Sequence, residues 1–189
     1  MRKLILRMLL TLDGVAAGED NKPIDAVDYG DDGSWSDIFE TLETVDAMLI
    51  GGASHREYLS YWKSALTDPK VSPNERRFAE IAARTPHFVL SRTEQSVEWP
   101  NASVLPGGVD GIKDLKQQKG GDILLWGGPT VAAAAIEAGL VDETHFAIHP
   151  VIAARGKKLF AKVANPHHVR HLGTKTSAGG VVTMKHARA

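Results

Sequence analysis

Four apolar runs in this chain stop abruptly at glycine or small polar residues and lead toward helical patterns. Residues 4–12 stop at Asp13-Gly14, Ala47-Met48-Leu49-Ile50 at Gly51-Gly52, Phe88-Val89-Leu90 at Ser91-Arg92, and Ile123-Leu124-Leu125-Trp126 at Gly127-Gly128. None alternates polar with apolar. Runs of this length without alternation suit strands covered on both faces, as in a parallel sheet.

Helical patterns fill the gaps. Ser34 or Ser36 caps a helix through about Thr44, with Ile38, Phe39, Leu42 and Val45 at 3/4 spacing. Ser54 opens a second, and Pro73 and Thr85-Pro86 bracket a third. Ile112 and Leu115 mark a short fourth, and Pro129 starts an alanine-rich fifth over residues 130–140. Strand–helix alternation to about residue 140 predicts an α/β fold with a largely parallel sheet. The tail differs. Residues 143–152 read as a strand with His145, Ala147 and His149 on one face, and Gly179-Gly180 turns a closing hairpin between 169–175 and 181–185. With 189 residues and no linker or repeat, residues 1–189 are expected to form one domain.

Composition narrows the partners. Lys and Arg total 22 against 23 Asp and Glu, so there is no basic field for nucleic acid. The absence of cysteine excludes disulfides, thiolate catalysis and sulfur-ligated zinc. The opening Met1-Arg2-Lys3 followed by apolar residues suggests a signal peptide, but Arg7 interrupts the stretch, and a buried strand is the better reading. No stretch has the ~18 apolar residues of a membrane span, so a cytoplasmic protein is expected.

Chemistry concentrates where strands end. The segment Leu125-Trp126-Gly127-Gly128-Pro129-Thr130-Val131 carries a buried strand through two glycines into a helix start, where free N–H groups and the helix dipole favour phosphate. Such a turn also serves as a bare connection. Gly51-Gly52-Ala53-Ser54 repeats the arrangement, and Leu90-Ser91-Arg92 adds a hydroxyl and a guanidinium suited to a ribose 2′-phosphate. In open parallel sheets, ligands bind beyond such carboxyl ends.

Residues 10–17, Leu-Thr-Leu-Asp-Gly-Val-Ala-Ala, resemble the first-strand motif of dihydrofolate-reductase-like proteins. These are related to the C-terminal reductase domain of the bifunctional riboflavin-biosynthesis deaminase/reductase. Segments 47–54, 89–93, 121–130, 139–143, 149–152 and 156–160 follow in the family's order. The resemblance implies a three-layer α/β/α sandwich whose parallel sheet ends in an antiparallel strand, binding NADPH. It would place Gly127, Gly128, Thr130 and Val131 with Gly51 and Ser54 on the pyrophosphate, beside Trp126. Leu90, Ser91 and Arg92 would surround the adenosine phosphate, and Val15 and Ala16 the nicotinamide. Two positions depart from the pattern: Gly52 stands where dihydrofolate reductase has a basic residue, and Trp35, with Asp37 and Glu40 beside it, stands near the expected pterin-binding carboxylate. The lysine- and arginine-bearing segments that hold the riboflavin enzyme's ribose phosphate are not evident. A homodimer is expected, with Val181 and Met184 on the last hairpin among the residues to be covered.

The expected activity is NADPH-dependent hydride transfer to a small heterocyclic substrate, pterin- or pyrimidine-like, which also requires a proton. Asp13, Asp37 and His149 are the candidate donors, and Trp35 would stack on the substrate. Each has a plainer role: turn aspartate, first-turn helix acid, strand histidine and core aromatic. The alternatives are 5-amino-6-(5-phosphoribosylamino)uracil reduction and a non-catalytic NADPH-binding sensor on the same fold. Metal is disfavoured: residues 28–33 brush the calcium-loop pattern but Gly30 and Phe39 occupy ligand positions, and the adjacent His167 and His168 diverge on a strand.

Overall fold

The first apolar run becomes the centre of the sheet because both its faces are covered. In the computed structural model, which describes residues 1–22, 24, 32–91, 93, 96–99 and 101–189, β1 (Leu4–Thr11) lies between β6 (Asp122–Trp126) and β7 (Glu143–His149), parallel to both. Outward from β6 follow β3 (Val45–Gly51), β4 (His87–Leu90) and β5 (Ala102–Leu105), all parallel. Beyond β7, β10 (Val182–Arg188) is antiparallel and β9 (Val169–Thr176) closes the edge, giving the order β5-β4-β3-β6-β1-β7-β10-β9. A two-stranded ribbon of β2 (Val15–Ala17) and β8 (Lys157–Lys158) stands apart.

Two apolar layers flank the sheet. One joins Leu6, Met8, Leu49 and Leu125 to Ile112 and Leu115 of α4 (Val109–Gln117) and Ala132 and Ala135 of α5 (Pro129–Glu137). The other joins Ile5, Met48 and Leu124 to α1 (Asp32–Leu42), α2 (His55–Ala65) and α3 (Pro73–Arg84), where Trp35, Trp62 and Phe78 interlock. This is the three-layer α/β/α sandwich with a mostly parallel sheet, as the sequence predicts.

Local chemistry explains the boundaries. Ser72 and Glu75 form a reciprocal capping box at the start of α3. Helix α5 ends at Glu137, short of the expected 140, because Gly139 N–H and Leu140 N–H turn back to the carbonyls of Ile136 and Ala135. Strand β7 stops at His149, since Pro150 brings no N–H to continue a ladder. Of the two residues expected to need covering, Val181 is buried within the chain and Met184 half-buried; the exposed apolar residues of the hairpin are Val169 and Leu172 on β9.

Candidate functional site

A cleft of about 850 Å³ opens beside the carboxyl ends of β1, β3 and β6. One wall is largely backbone. Gly127 and Gly128 carry β6 into α5, both left-handed with φ +82° and +83°. A Cβ on Gly128 would lie 3.1 Å from the Cα of Gly51, so the ends of β3 and β6 approach as closely as backbones allow. A Cβ on Gly127 would meet nothing within 4 Å. Ser54 lines the cleft at the start of α2 without its hydroxyl capping that helix. Two helix N-termini and an unobstructed glycine thus face one space, an arrangement suited to a pyrophosphate.

Gly52 is sealed instead. A Cβ there would fall 2.9 Å from Ser91 and 3.1 Å from the Leu90 carbonyl, which accepts the Gly52 N–H. A basic side chain at this position has no room, so any cation for a 2′-phosphate comes from elsewhere. Arg92, expected in that role, lies outside the described residues, as does most of the 28–33 segment.

The opposite end is built from side chains. Arg7, in the middle of β1, is 2% exposed. Its Nη1 donates to Asp37 Oδ2 of α1 at 2.5 Å, and Lys185 Nζ of β10 lies 2.8 Å from Asp37 Oδ1. Burial pushes the Asp37 pKa up, but Arg7 and Lys185 outweigh it and hold the carboxyl below its ordinary value. His145 faces Arg7 across the β1–β7 ladder and contacts Thr41 Oγ1 at 3.2 Å. Burial, and then the Lys185 charge, pull its pKa down to about 4, leaving it neutral. Trp35, Trp62, Trp126 and His149 join Arg7 around a cavity of about 10 Å³ next to the cleft. Tyr58 lines the cleft as a neutral phenol, its pKa raised by burial.

The expected site residues therefore separate into groups. Ala16, Ser54, Trp126, Gly127 and Gly128 line the cleft. Gly51 and Val131 pack behind it, with Val131 Cγ2 3.1 Å from where a Gly51 Cβ would be. Thr130 is exposed in the first turn of α5, and Val15 is buried in β2. Leu90 and Ser91 end β4 against Gly52. Trp35, Asp37 and His149 belong to the charged end. Asp13 points elsewhere: it accepts from Thr11 Oγ1 at 2.6 Å and from the amides of Ala153 and Ala154, and these bonds, Thr11's first, hold its carboxyl below the ordinary range. Arg7 and Lys185 are additions that spacing did not single out as site residues. Among the described residues no three His, Asp or Glu side chains gather as a metal site, and no helix is long and apolar enough to cross a membrane.

Sheet order, paired helix layers and a cleft at the strand ends define a dihydrofolate reductase-like α/β protein. The chain belongs to the RibD C-terminal domain family, whose model matches residues 2–183. It is 28% identical to the uncharacterized protein YyaP of Bacillus subtilis over 183 residues, covering 97% of this chain and 93% of that one. A Shewanella sp. PV-4 protein assigned to riboflavin biosynthesis superposes with a TM-score of 0.71 at 20% identity, covering 99% of each chain. The dihydrofolate reductase of Enterococcus faecalis complexed with NADP(H) superposes with a TM-score of 0.64 at 14% identity, covering 98% of this chain and 96% of its own.

Proposed function

We propose that this protein is an NADPH-dependent reductase of a small heterocyclic substrate. The observation that carries the reading is the two-ended cleft, with helix N-termini and an open glycine turn at one end and a buried aromatic and charged pocket at the other. Family membership and the NADP(H) complex of the structurally similar dihydrofolate reductase support it. When bound, the cofactor supplies the hydride. In this reading Gly127, Gly128 and Ser54 bind the pyrophosphate, Ala16 borders the nicotinamide, and Trp35, Trp62 and Trp126 screen the reacting atoms from water. Asp13 and Asp37 are both held ionised, so His149, at the inner cavity, is the proposed proton donor of the three. Reduction of 5-amino-6-(5-phosphoribosylamino)uracil is the second reading, favoured by the family and by Lys22 and Arg56 at the cleft, which offer charge to a ribose phosphate. A cytoplasmic homodimer belongs to the same proposal, with Val169 and Leu172 as exposed apolar contacts.

Titration with NADPH and with NADH, followed by tryptophan fluorescence, tests the reading. Trp126 borders the glycine turn, so occupancy changes its emission. Saturable NADPH binding at roughly micromolar affinity, followed by NADPH consumption with a pterin or pyrimidine acceptor, is expected. Absence of binding by either nucleotide overturns it.

A further inference from the structure

We infer that Arg7 selects the substrate, and that the group it selects is a planar edge carrying two hydrogen-bond acceptors, such as a carboxylate or a ring carbonyl beside an unprotonated ring nitrogen. The inference rests on the reductase reading only for what occupies the rest of the cleft. A guanidinium presents Nε and Nη2 side by side as a fork that matches two coplanar acceptors. Among the described residues Arg7 uses neither of them: its bond to Asp37 runs through Nη1, while Nε and Nη2 are both buried with no hydrogen-bond partner there. Buried donors on a charged group are rarely left unmet, and those that are call for an explanation. Arg7 lines both the inner cavity and the cleft, together with Leu9, Trp62 and Trp126. The inner cavity has room for about one water, which would serve as placeholder until a ligand edge displaces it.

The charges around Arg7 favour the same class of ligand. Among the described residues, the buried Arg7 and the partly exposed Lys185 both face the buried carboxylate of Asp37, and His145 opposite Arg7 is neutral. Glu40 contacts Lys185 at 3.6 Å but is half-exposed and also paired with Lys175. Asp37 has one oxygen on Arg7 and the other on Lys185, so it does not offer an open carboxylate to the paired N–H donors of an aminopyrimidine. The recognition edge here is therefore donor-rich on the protein side and acceptor-rich on the ligand side.

The test uses two probes, benzoate as a planar acceptor pair and 2,4-diaminopyrimidine as a donor edge. Each is titrated by calorimetry into NADPH-loaded full-length protein, wild type, Arg7→Met and Arg7→Lys, with NADPH affinity measured on the same samples. Benzoate should bind wild type more tightly than 2,4-diaminopyrimidine. Arg7→Met should weaken benzoate at least about tenfold, as loss of a charged bidentate pair implies. Arg7→Lys keeps the charge and the Asp37 contact but not the fork, so it should weaken benzoate too, and it serves if Arg7→Met does not fold. NADPH affinity should stay within about twofold, because no Arg7 contact is assigned to the dinucleotide. Equal benzoate affinity in wild type and both variants, or tighter binding of 2,4-diaminopyrimidine by wild type, overturns the inference and leaves the fork to water. Failure of wild type to bind NADPH sinks the reductase reading instead, and the benzoate comparison, repeated without nucleotide, still decides the role of Arg7.

Discussion

The two ends of the cleft are made by different physics. The glycine end is backbone: Gly127 and Gly128 line it without side chains, and Gly51 behind them allows their close approach. The charged end is side chain: Arg7, Asp37 and Lys185 come together from β1, α1 and β10, and Arg7 shares the inner cavity with three tryptophans. The first end costs the fold little, since a helix start leaves N–H groups free in any case. The second burdens it, because a buried ion pair recovers its desolvation only with good geometry and full hydrogen bonding. In the reading proposed above, this cluster serves recognition. The generic end suits a ligand common to many proteins, and the particular end suits a substrate.

The largest effect should follow from breaking the charged end. Asp37→Asn leaves the buried Arg7 without its anion, while the partly exposed Lys185 keeps Glu40, and the expected loss is about 3–5 kcal/mol, or roughly 10 °C in Tm for a chain of this size. Arg7→Met should cost clearly less, because Lys185 still answers Asp37 and the unmet fork disappears. Thermal melts of the two variants check this; a greater loss in Arg7→Met would mean that the cluster is held together by Arg7 packing rather than by its carboxylate. Neither substitution should act on the glycine end, so NADPH affinity at a temperature well below both transitions tests whether the ends are independent.

Acid comes next. His145 at the charged end and His87, under Tyr58 and Trp99 near the far edge of the sheet, both have pKa values pulled down by burial to about 4 from 6.5. Between those values the unfolded chain binds more protons than the folded one. The stability each neutral imidazole contributes is therefore complete above about pH 6.5 and declines as the pH falls toward 4. A shift of this size corresponds to on the order of 3 kcal/mol per histidine. Denaturant unfolding at neutral pH and at about pH 5 should show the decline, and His145→Gln should remove about half of its slope. A slope untouched by that substitution would assign the acid sensitivity to His87 and leave the charged end without a part in it.

The contrast between the ends also governs what the sequence reveals. An apolar run followed by Gly-Gly-Pro, as at β6, or by Gly-Gly-Ala-Ser, as at β3, specifies strand, turn and helix start within a few residues, so β3, β6, α2 and α5 and the cleft wall between them are legible locally. Asp37 is visible as a first-helix acid, but Lys185 carries no spacing signal linking it to β1, since their meeting depends on β10 pairing with β7. Arg7 did carry a signal. A charge inside a strand covered on both faces requires a partner, although spacing alone only marks it as an interruption. The short β5 and the β2–β8 ribbon escape prediction because Ala102–Leu105, Val15–Ala17 and Lys157–Lys158 are too brief to show a period.

The smallest expected effects separate the roles of the two adjacent glycines. Both are left-handed, so alanine at either costs about 1–2 kcal/mol of backbone strain. At Gly127 that is the whole structural cost, because the added methyl enters open space in the cleft. At Gly128 the methyl would meet Gly51 backbone at 3.1 and 3.2 Å, and neither strand end can yield as a flexible side chain would. Gly128→Ala should therefore lose more stability than Gly127→Ala, and its NADPH affinity should fall with it as the turn is displaced. Gly127→Ala should stay within about 2 kcal/mol of wild type yet weaken NADPH roughly tenfold, because its methyl stands where a pyrophosphate would approach. The diagnostic quantity is thus the ratio of binding loss to stability loss, larger for Gly127→Ala than for Gly128→Ala. Undiminished NADPH affinity in Gly127→Ala would remove the dinucleotide from this turn, and the backbone end of the cleft would then be a close-packed corner of the sheet.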